Sequence, residues 1–298
     1  MTTATKQPVG IVGLGLVGQA LARRLLAAGL PVHGFDLRQE AREALQGLGG
    51  HAEASPQAVG AACSFVLLAV FDSNDVRAVL ESDGGLLSPG HCVDTVIDCS
   101  TGTPEVLQGL AARLHARGIA FIEGPLSGSS QQIADGEATL LLGGDADAIA
   151  RCTPLLAILA RERIHVGPAG MAAKAKLATN LVLGLNRAVL AEGMAFAESL
   201  GIAPDAFLRL VLATPARSAA AEVKGPMMAS GRFDAQSRIR QHLKDVGLML
   251  DAGRAAGQPL PLSEAHARLM RAAIAAGDGD LDNAAIVRQW RRDRTPPP

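Results

Sequence analysis

Lys176 and Asn180 stand four residues apart inside Ala172–Leu200, a stretch otherwise built mainly of Ala, Leu, Val and Met. On a helix that spacing puts both side chains on one face. An ammonium buried without partners is costly. A lysine there either runs its charge out along its stem to solvent or exchanges a proton within a site. Lys174, two residues earlier, leaves both readings open. A second group of polar residues is Gly124-Pro-Leu-Ser127-Gly128-Ser129-Ser130. Small polar residues around a glycine can form a concave nest of N–H groups suited to a carboxylate, and they can equally be a plain loop. A third, Asp98-Cys-Ser100-Thr101, follows an expected strand, and ligands of open α/β sheets bind beyond strand ends. Its hydroxyls could instead cap a helix opening at Pro104, with Glu105 in the first turn.

Such residues need a frame, and the N-terminal segment supplies one. Val9-Gly-Ile-Val12 reads as a strand, Gly13-Leu14-Gly15-Leu16-Val17-Gly18 as a glycine turn opening a helix, and Val32-His-Gly-Phe35 as a second strand ending at Asp36. Gly13 permits the tight turn, Gly15 lets the backbone approach a pyrophosphate, and Gly18 allows close helix packing. The helix N-terminus offers N–H groups and a positive dipole end to phosphates. Asp36, followed by Leu37 and Arg38, can accept the adenosine ribose hydroxyls, which favours NAD. Arg38 keeps NADP open. Further apolar runs at Phe65–Val70, Val96–Cys99, Ala120–Ile122 and Thr139–Leu142 alternate with helical segments Val17–Ala28, Glu40–Leu48 and Pro104–Ala116. This alternation predicts an α/β fold, a Rossmann-type parallel sheet wrapped on both faces by helices. From Gly167-Pro-Ala-Gly170 the pattern becomes all-helical, with breaks at Gly201–Pro204, Gly225-Pro226, Gly257–Pro259 and Gly277–Gly279. The expected domains are a dinucleotide-binding domain, 1–166, and a helical substrate and dimerisation domain, 167–298. A helix over Ala172–Leu200 that is apolar nearly all round predicts burial by other protein, hence a homodimer or homotetramer.

Composition excludes several function classes. The chain has 298 residues, 48% hydrophobic and 19% charged, with a net charge of −1, which argues against nucleic acid or an anionic membrane as partner. No apolar run free of charge is long enough for a membrane span, and Met1–Pro8 lacks the core of a signal peptide, so a cytoplasmic enzyme is expected. Arg291-Arg-Asp-Arg294 before the terminal prolines reads as a frayed, solvated end. Cys63, Cys92, Cys99 and Cys152 show no CxxC spacing and the seven histidines are dispersed, so no metal site is expected.

Taken together and in order, the glycine turn, Asp98–Thr101, Pro125-Leu-Ser-Gly128, Gly167–Asn180 and Lys244-Asp245 resemble the β-hydroxyacid dehydrogenases, the family of 3-hydroxyisobutyrate dehydrogenase and tartronate semialdehyde reductase. 6-Phosphogluconate dehydrogenase is a more distant relative. The resemblance runs from about Val9 to Val287. It implies that Lys176 is the catalytic lysine and Asn180 its helical partner. Thr101 and Lys244 would touch the cofactor, as would Val70-Phe71, which stands where a Leu-Pro pair is usual. Ser127, Gly128 and Ser129 would hold a substrate carboxylate. The implied activity is NAD-dependent interconversion of a small hydroxy acid and its semialdehyde. Its rivals are an NADPH-dependent semialdehyde or imine reductase of the same fold and a non-catalytic binding module. The sequence departs from the family at Glu123-Gly124 for Asp-Ala, at Ser129 for a second glycine, at Ser237 for an aromatic, and at Arg240. Arg240 is either solvated or a pocket cation for a second anionic group.

Overall fold

A computed structural model describes residues 7–294, which form two compact units dividing between Lys176 and Leu177. In the first unit β1 (Val9–Val12), β2 (Val32–Phe35), β3 (His51–Ala52), β4 (Phe65–Leu68), β5 (Thr95–Asp98) and β6 (Ala120–Glu123) run parallel in the spatial order β3-β2-β1-β4-β5-β6. The order reverses between β1 and β4, which places a crevice beyond their C-terminal ends. Side chains alternate across this sheet. Ile11, Leu67, Ile97 and Ile122 pack with Leu21 and Leu25 of α1 (Leu16–Ala27). Val12, Val66, Leu68 and Val96 pack on the other face with Val59 of α3 (Pro56–Ala62), and with Leu107 and Leu110 of α5 (Pro104–His115). Burial on both faces is why β1 and β4 are almost wholly apolar. α2 (Gln39–Gly47) and α4 (Ser73–Glu81) complete the connections among these strands.

Beyond β6 the sheet is mixed. β7 (Leu126–Ser127) and β8 (Thr139–Gly143) follow, with the short α6 (Ser130–Asp135) between them. β8 lies antiparallel to both β6 and β7. An antiparallel neighbour needs no long crossover, which suits this brief connection. After α7 (Ala146–Leu159), β9 (Glu162–Gly167) pairs parallel with β8. β3, β7 and β9 were not expected from sequence: two are two-residue strands, and β9 is a largely exposed, charged strand.

α8 (Met171–Ser199) opens in the first unit and continues through the second. The expected boundary after residue 166 falls at the end of β9, ten residues before the units divide. The second unit adds α9 (Pro204–Ala213), α10 (Ala219–Ser230), α11 (Ile239–Ala255), α12 (Pro261–Ala275), a 3-10 turn at Asn283–Ile286 and α13 (Val287–Arg292). Leu190, Met194, Leu208, Met228, Val246, Met249, Met270 and Ile286 form its core.

Two expectations fail here. Gly225-Pro226 does not break the chain but lies inside α10. A Cβ at Gly225 would fall 2.3 Å from Leu208 Cδ1, so the glycine admits the α9 leucine, and this packing outweighs the helix-breaking tendency of the pair. Nor is the basic tail frayed. Arg291 and Arg294 bind Glu198 of α8 at 2.5 and 3.0 Å, and Arg292 binds Asp278 at 2.7 Å. The terminal prolines and Met1–Lys6 lie outside the described residues. No helix among the described residues is long and apolar enough to cross a membrane.

Candidate active site

The glycine turn lies where β1 meets α1. Gly13 has φ +93°, and a Cβ there would be 2.4 Å from Ala69 O. A Cβ on Gly18 would be 1.9 Å from Gly13 O, so Gly18 lets α1 begin directly against the turn. At Gly15 the nearest atom a Cβ would meet is Arg38 Nη2, at 3.9 Å, so the backbone is open to close approach. Leu14 is buried, and its N–H donates to Asp36 Oδ2 at 2.8 Å. Leu16 and Val17 begin α1 half-buried, while Leu37 is 88% exposed.

Asp36 also receives the Arg38 guanidinium, Nε to Oδ1 at 3.0 Å and Nη2 to Oδ2 at 3.1 Å, together with the Arg38 N–H at 2.9 Å. Burial pulls this carboxyl upward, but the Arg38 bonds and the Leu14 N–H outweigh it and hold Asp36 below the usual carboxylate range. Arg42 adds a second guanidinium, bonded to Asp36 O. The tip of β2 thus pairs a carboxylate able to accept from hydroxyls with guanidinium chemistry suited to phosphate.

Beyond β4 and β5, Val70 N–H donates to Ser100 Oγ at 3.1 Å and Ser100 N–H to Asp98 Oδ1 at 2.9 Å. The N-cap of α5 is Thr103, without a side-chain cap bond, so Ser100 and Thr101 do not cap that helix. Thr101 is half-buried and Phe71 is 45% exposed. In the serine loop, Ser129 forms a reciprocal capping box with Gln132 that opens α6. Its Oγ accepts from Gln132 N–H at 3.3 Å, and its own N–H donates to Gln132 Oε1 at 2.8 Å. Ser127 and the exposed Gly128, φ +157°, remain free of that box.

Lys176 is 6% exposed, and its Nζ donates to Leu126 O at 2.6 Å, immediately before Ser127. Lys174 is exposed. Glu123, which no sequence motif marks as a cap, seats the start of the helix: wholly buried at the end of β6, it accepts from Gly170 N–H at 2.7 Å and Ala172 N–H at 3.2 Å through Oε2. Gly143, its partner on β8, makes room, since a Cβ there would be 2.3 Å from that oxygen. Burial raises the Glu123 carboxyl above its ordinary range, only partly countered by these N–H bonds, and neighbouring Asp98 raises it further. A carboxylate at a helix N-terminus satisfies orphan donors and complements the dipole.

In the second unit Asn180 is buried, and its Nδ2 donates to Asp245 Oδ2 at 3.4 Å. Lys244 pairs with Asp245 Oδ1 at 2.8 Å. Asp245 had been noted only as a neighbour of Lys244, yet it joins the two residues expected from sequence. Arg240, 54% exposed and paired with Asp280 at 3.1 Å, is a surface residue. Arg187 is a further charged residue of α8. It is 5% exposed, seven residues beyond Asn180 on the same helix.

Comparison with known proteins agrees across the chain. Residues 8–167 match the family described as the NAD binding domain of 6-phosphogluconate dehydrogenase, and residues 170–290 that described as NAD-binding of NADP-dependent 3-hydroxyisobutyrate dehydrogenase. The chain is 32% identical to L-threonate dehydrogenase of Cupriavidus necator, over 94% of its own length and 95% of the relative's. A crystal structure of 3-hydroxyisobutyrate dehydrogenase from Salmonella typhimurium is similar at a TM-score of 0.85 and 31% identity, covering 95% of this chain and 99% of that one. A structure of Psf3 in complex with NADP+ and 2-OPP is similar at a TM-score of 0.86 and 26% identity, covering 94% and 99%.

Proposed function

The chain belongs to the β-hydroxyacid dehydrogenase family of NAD(P)-binding enzymes acting on CH–OH groups, and from that premise we propose that it interconverts a small hydroxy acid and its semialdehyde with NAD, Lys176 serving as general acid and base. The observation that carries the reading is the buried Lys176 amine held against Leu126 O, one residue from Ser127. A proton-transfer group and a carboxylate-binding loop are thereby adjacent within one unit.

The nucleotide fits the residues present. The open approach at Gly15 accommodates a pyrophosphate, and Asp36, fixed by Leu14 N–H, faces the ribose end. When bound, the nicotinamide ring supplies the hydride acceptor or donor. Ser127 and Gly128 hold the substrate carboxylate and orient the hydroxyl carbon. Lys176 takes the hydroxyl proton in oxidation and returns it in reduction. Asn180, one helical turn on, orients the reacting groups, and Lys244 with Thr101 assists the cofactor. Relatives named for L-threonate and 3-hydroxyisobutyrate support a small hydroxy acid.

Arg38 favours one second reading, reduction of a semialdehyde with NADPH, because its guanidinium lies beside the glycine turn. Both readings are tested by screening small hydroxy acids and semialdehydes against NAD(H) and NADP(H), following the absorbance of reduced nicotinamide. Absence of turnover with every pair would refute them together.

The assembly we infer is a dimer or larger through α8. Val182, Val189 and Phe196, 56, 67 and 63% exposed, recur at seven-residue intervals along α8, and Leu200, 63% exposed, follows just beyond its end, the spacing of an apolar seam. Light scattering at micromolar concentration should give a mass of at least two chains, and a monomer would refute it.

A further inference from the structure

Arg187 is a buried cation whose local counter-charges already have partners. Its Nη2 is fully buried and has no hydrogen-bond partner among the described residues. The acids that influence it are Asp282 and Asp245. Asp282 takes the Lys224 ammonium at 2.9 Å on both oxygens, and the N–H groups of Gln236, Ser237 and Ala284 as well. Asp245 takes Lys244 at 2.8 Å and Asn180 at 3.4 Å. Three cations, Arg187, Lys224 and Lys244, thus share two acids. His266 packs near this face of α8, close to Gly184, and stays neutral at pH 7 because burial and then Arg187 push it down to about 4. Burial likewise lowers Arg187 itself, to about 10, which leaves it charged.

A desolvated guanidinium with an unused donor is unfavourable for folding, and a methionine would fill the same space at lower cost. Ligand binding gives a reason for the arginine. Residues 180, 184 and 187 fall on one face of α8. Seven residues rise about 10 Å, and a long helical side chain leans back toward the N-terminus, so the guanidinium reaches toward Asn180. A guanidinium binds carboxylate or sulfonate through a two-pronged fork.

We propose that Arg187 is a specificity-determining residue that binds a second anionic group of the substrate, a carboxylate or sulfonate carried a few bonds beyond the hydroxyl carbon. The substrate class is then a dianionic hydroxy acid. This rests on the dehydrogenase reading for its placement beside Asn180.

The test compares 3-hydroxyisobutyrate with 2-(hydroxymethyl)succinate, which adds one carboxylate, on the wild-type enzyme, Arg187→Met and Arg187→Lys with saturating NAD. The wild type should prefer the diacid. Arg187→Met should raise KM for the diacid by about 30-fold or more and leave the monoacid unchanged, as expected for loss of a buried charged partner. Arg187→Lys should fall between. A second arm, with NAD present, measures thermal unfolding in malonate: Tm should rise for the wild type and not for Arg187→Met. A purely structural arginine predicts instead that Arg187→Met is as stable or more so and that both acids change alike or not at all, which would overturn the proposal. A malonate shift lost in Arg187→Met while the diacid KM is unmoved would also overturn it, assigning the site to a free anion. Should the wild type oxidise no hydroxy acid, the dehydrogenase reading fails, and the malonate arm still decides whether Arg187 binds an anion.

Discussion

Replacing Lys176 with methionine tests the proposed chemistry most directly. Methionine keeps most of the length and the apolar stem and removes the amine. Two losses follow, of different size. The bond from Nζ to Leu126 O, 2.6 Å long and buried, disappears, which should cost about 1 kcal/mol of stability. The general acid and base also disappears, worth about 10²- to 10⁴-fold in kcat, or roughly 3 to 5 kcal/mol of barrier. The catalytic term dominates, so the variant should be folded and nearly inactive. NAD affinity, measured by fluorescence titration, should stay close to that of the wild type, because Gly13–Gly18 and Asp36 are untouched. Lys174→Met is the control: Lys174 is exposed on another side of α8, and its loss should change kcat little. Steady-state kinetics with urea midpoints on all three proteins separates the effects. An active Lys176→Met beside an inactive Lys174→Met would refute both the helical register and the mechanism.

Three further outcomes follow from the same geometry. Asp36→Ser should raise the ratio of kcat/KM for NADP over NAD by about tenfold or more, since it removes an anion that repels a 2′-phosphate, whereas Arg38→Ala should lower it; no change in either variant would remove Asp36 from cofactor choice. Glu123→Gln should cost below about 1 kcal/mol because its amide oxygen can still accept from Gly170 and Ala172, while Glu123→Ala, which orphans both N–H groups, should cost about 2 to 6 kcal/mol and reduce kcat; equal urea midpoints for the two variants would refute the cap. His266 is held at about 4 in the folded protein against 6.5 unfolded, so the unfolded chain takes up the proton first and stability falls as pH drops from about 6.5 toward 4. Between pH 7 and 5 the wild type should lose about 2 kcal/mol more than His266→Gln, and equal losses would refute that assignment.

Much of the nucleotide-binding unit was legible because its physics is local. The glycine turn needs a positive φ at Gly13 and contact at Gly18 within a few residues of each other, and buried parallel strands announce themselves as apolar runs. What escaped notice depends on partners far along the chain. The cap on α8 comes from Glu123, 47 residues before Gly170, and only the sheet register brings Glu123 opposite Gly143. The Arg291–Glu198 pair spans 93 residues, which is why a basic tail read as solvated. Arg240 and Arg187 differ in the opposite sense from their sequence settings. The first departs from the family pattern shortly before Lys244 and lies at the surface, and the second is a charge within an apolar helix and is buried.

The segment from Glu123 to Ser127 joins these observations. At one end the Glu123 carboxylate grips the N-terminus of α8 at Gly170 and Ala172; at the other, Leu126 O receives Lys176 one turn further along that helix. Four residues of strand and turn therefore fix both the axial position of the opening turns of α8 and the rotation that aims Lys176. The next residue, Ser127, is the one proposed to hold the substrate carboxylate. An error in helix register would move the amine by 1.5 Å per residue and rotate it by about 100°, so a carboxylate-to-lysine geometry could not survive a slip. Placing the cap, the lysine acceptor and the carboxylate loop on one short segment ties those distances together. That arrangement explains why a wholly buried acid, whose ionised form burial disfavours, is placed at the end of β6.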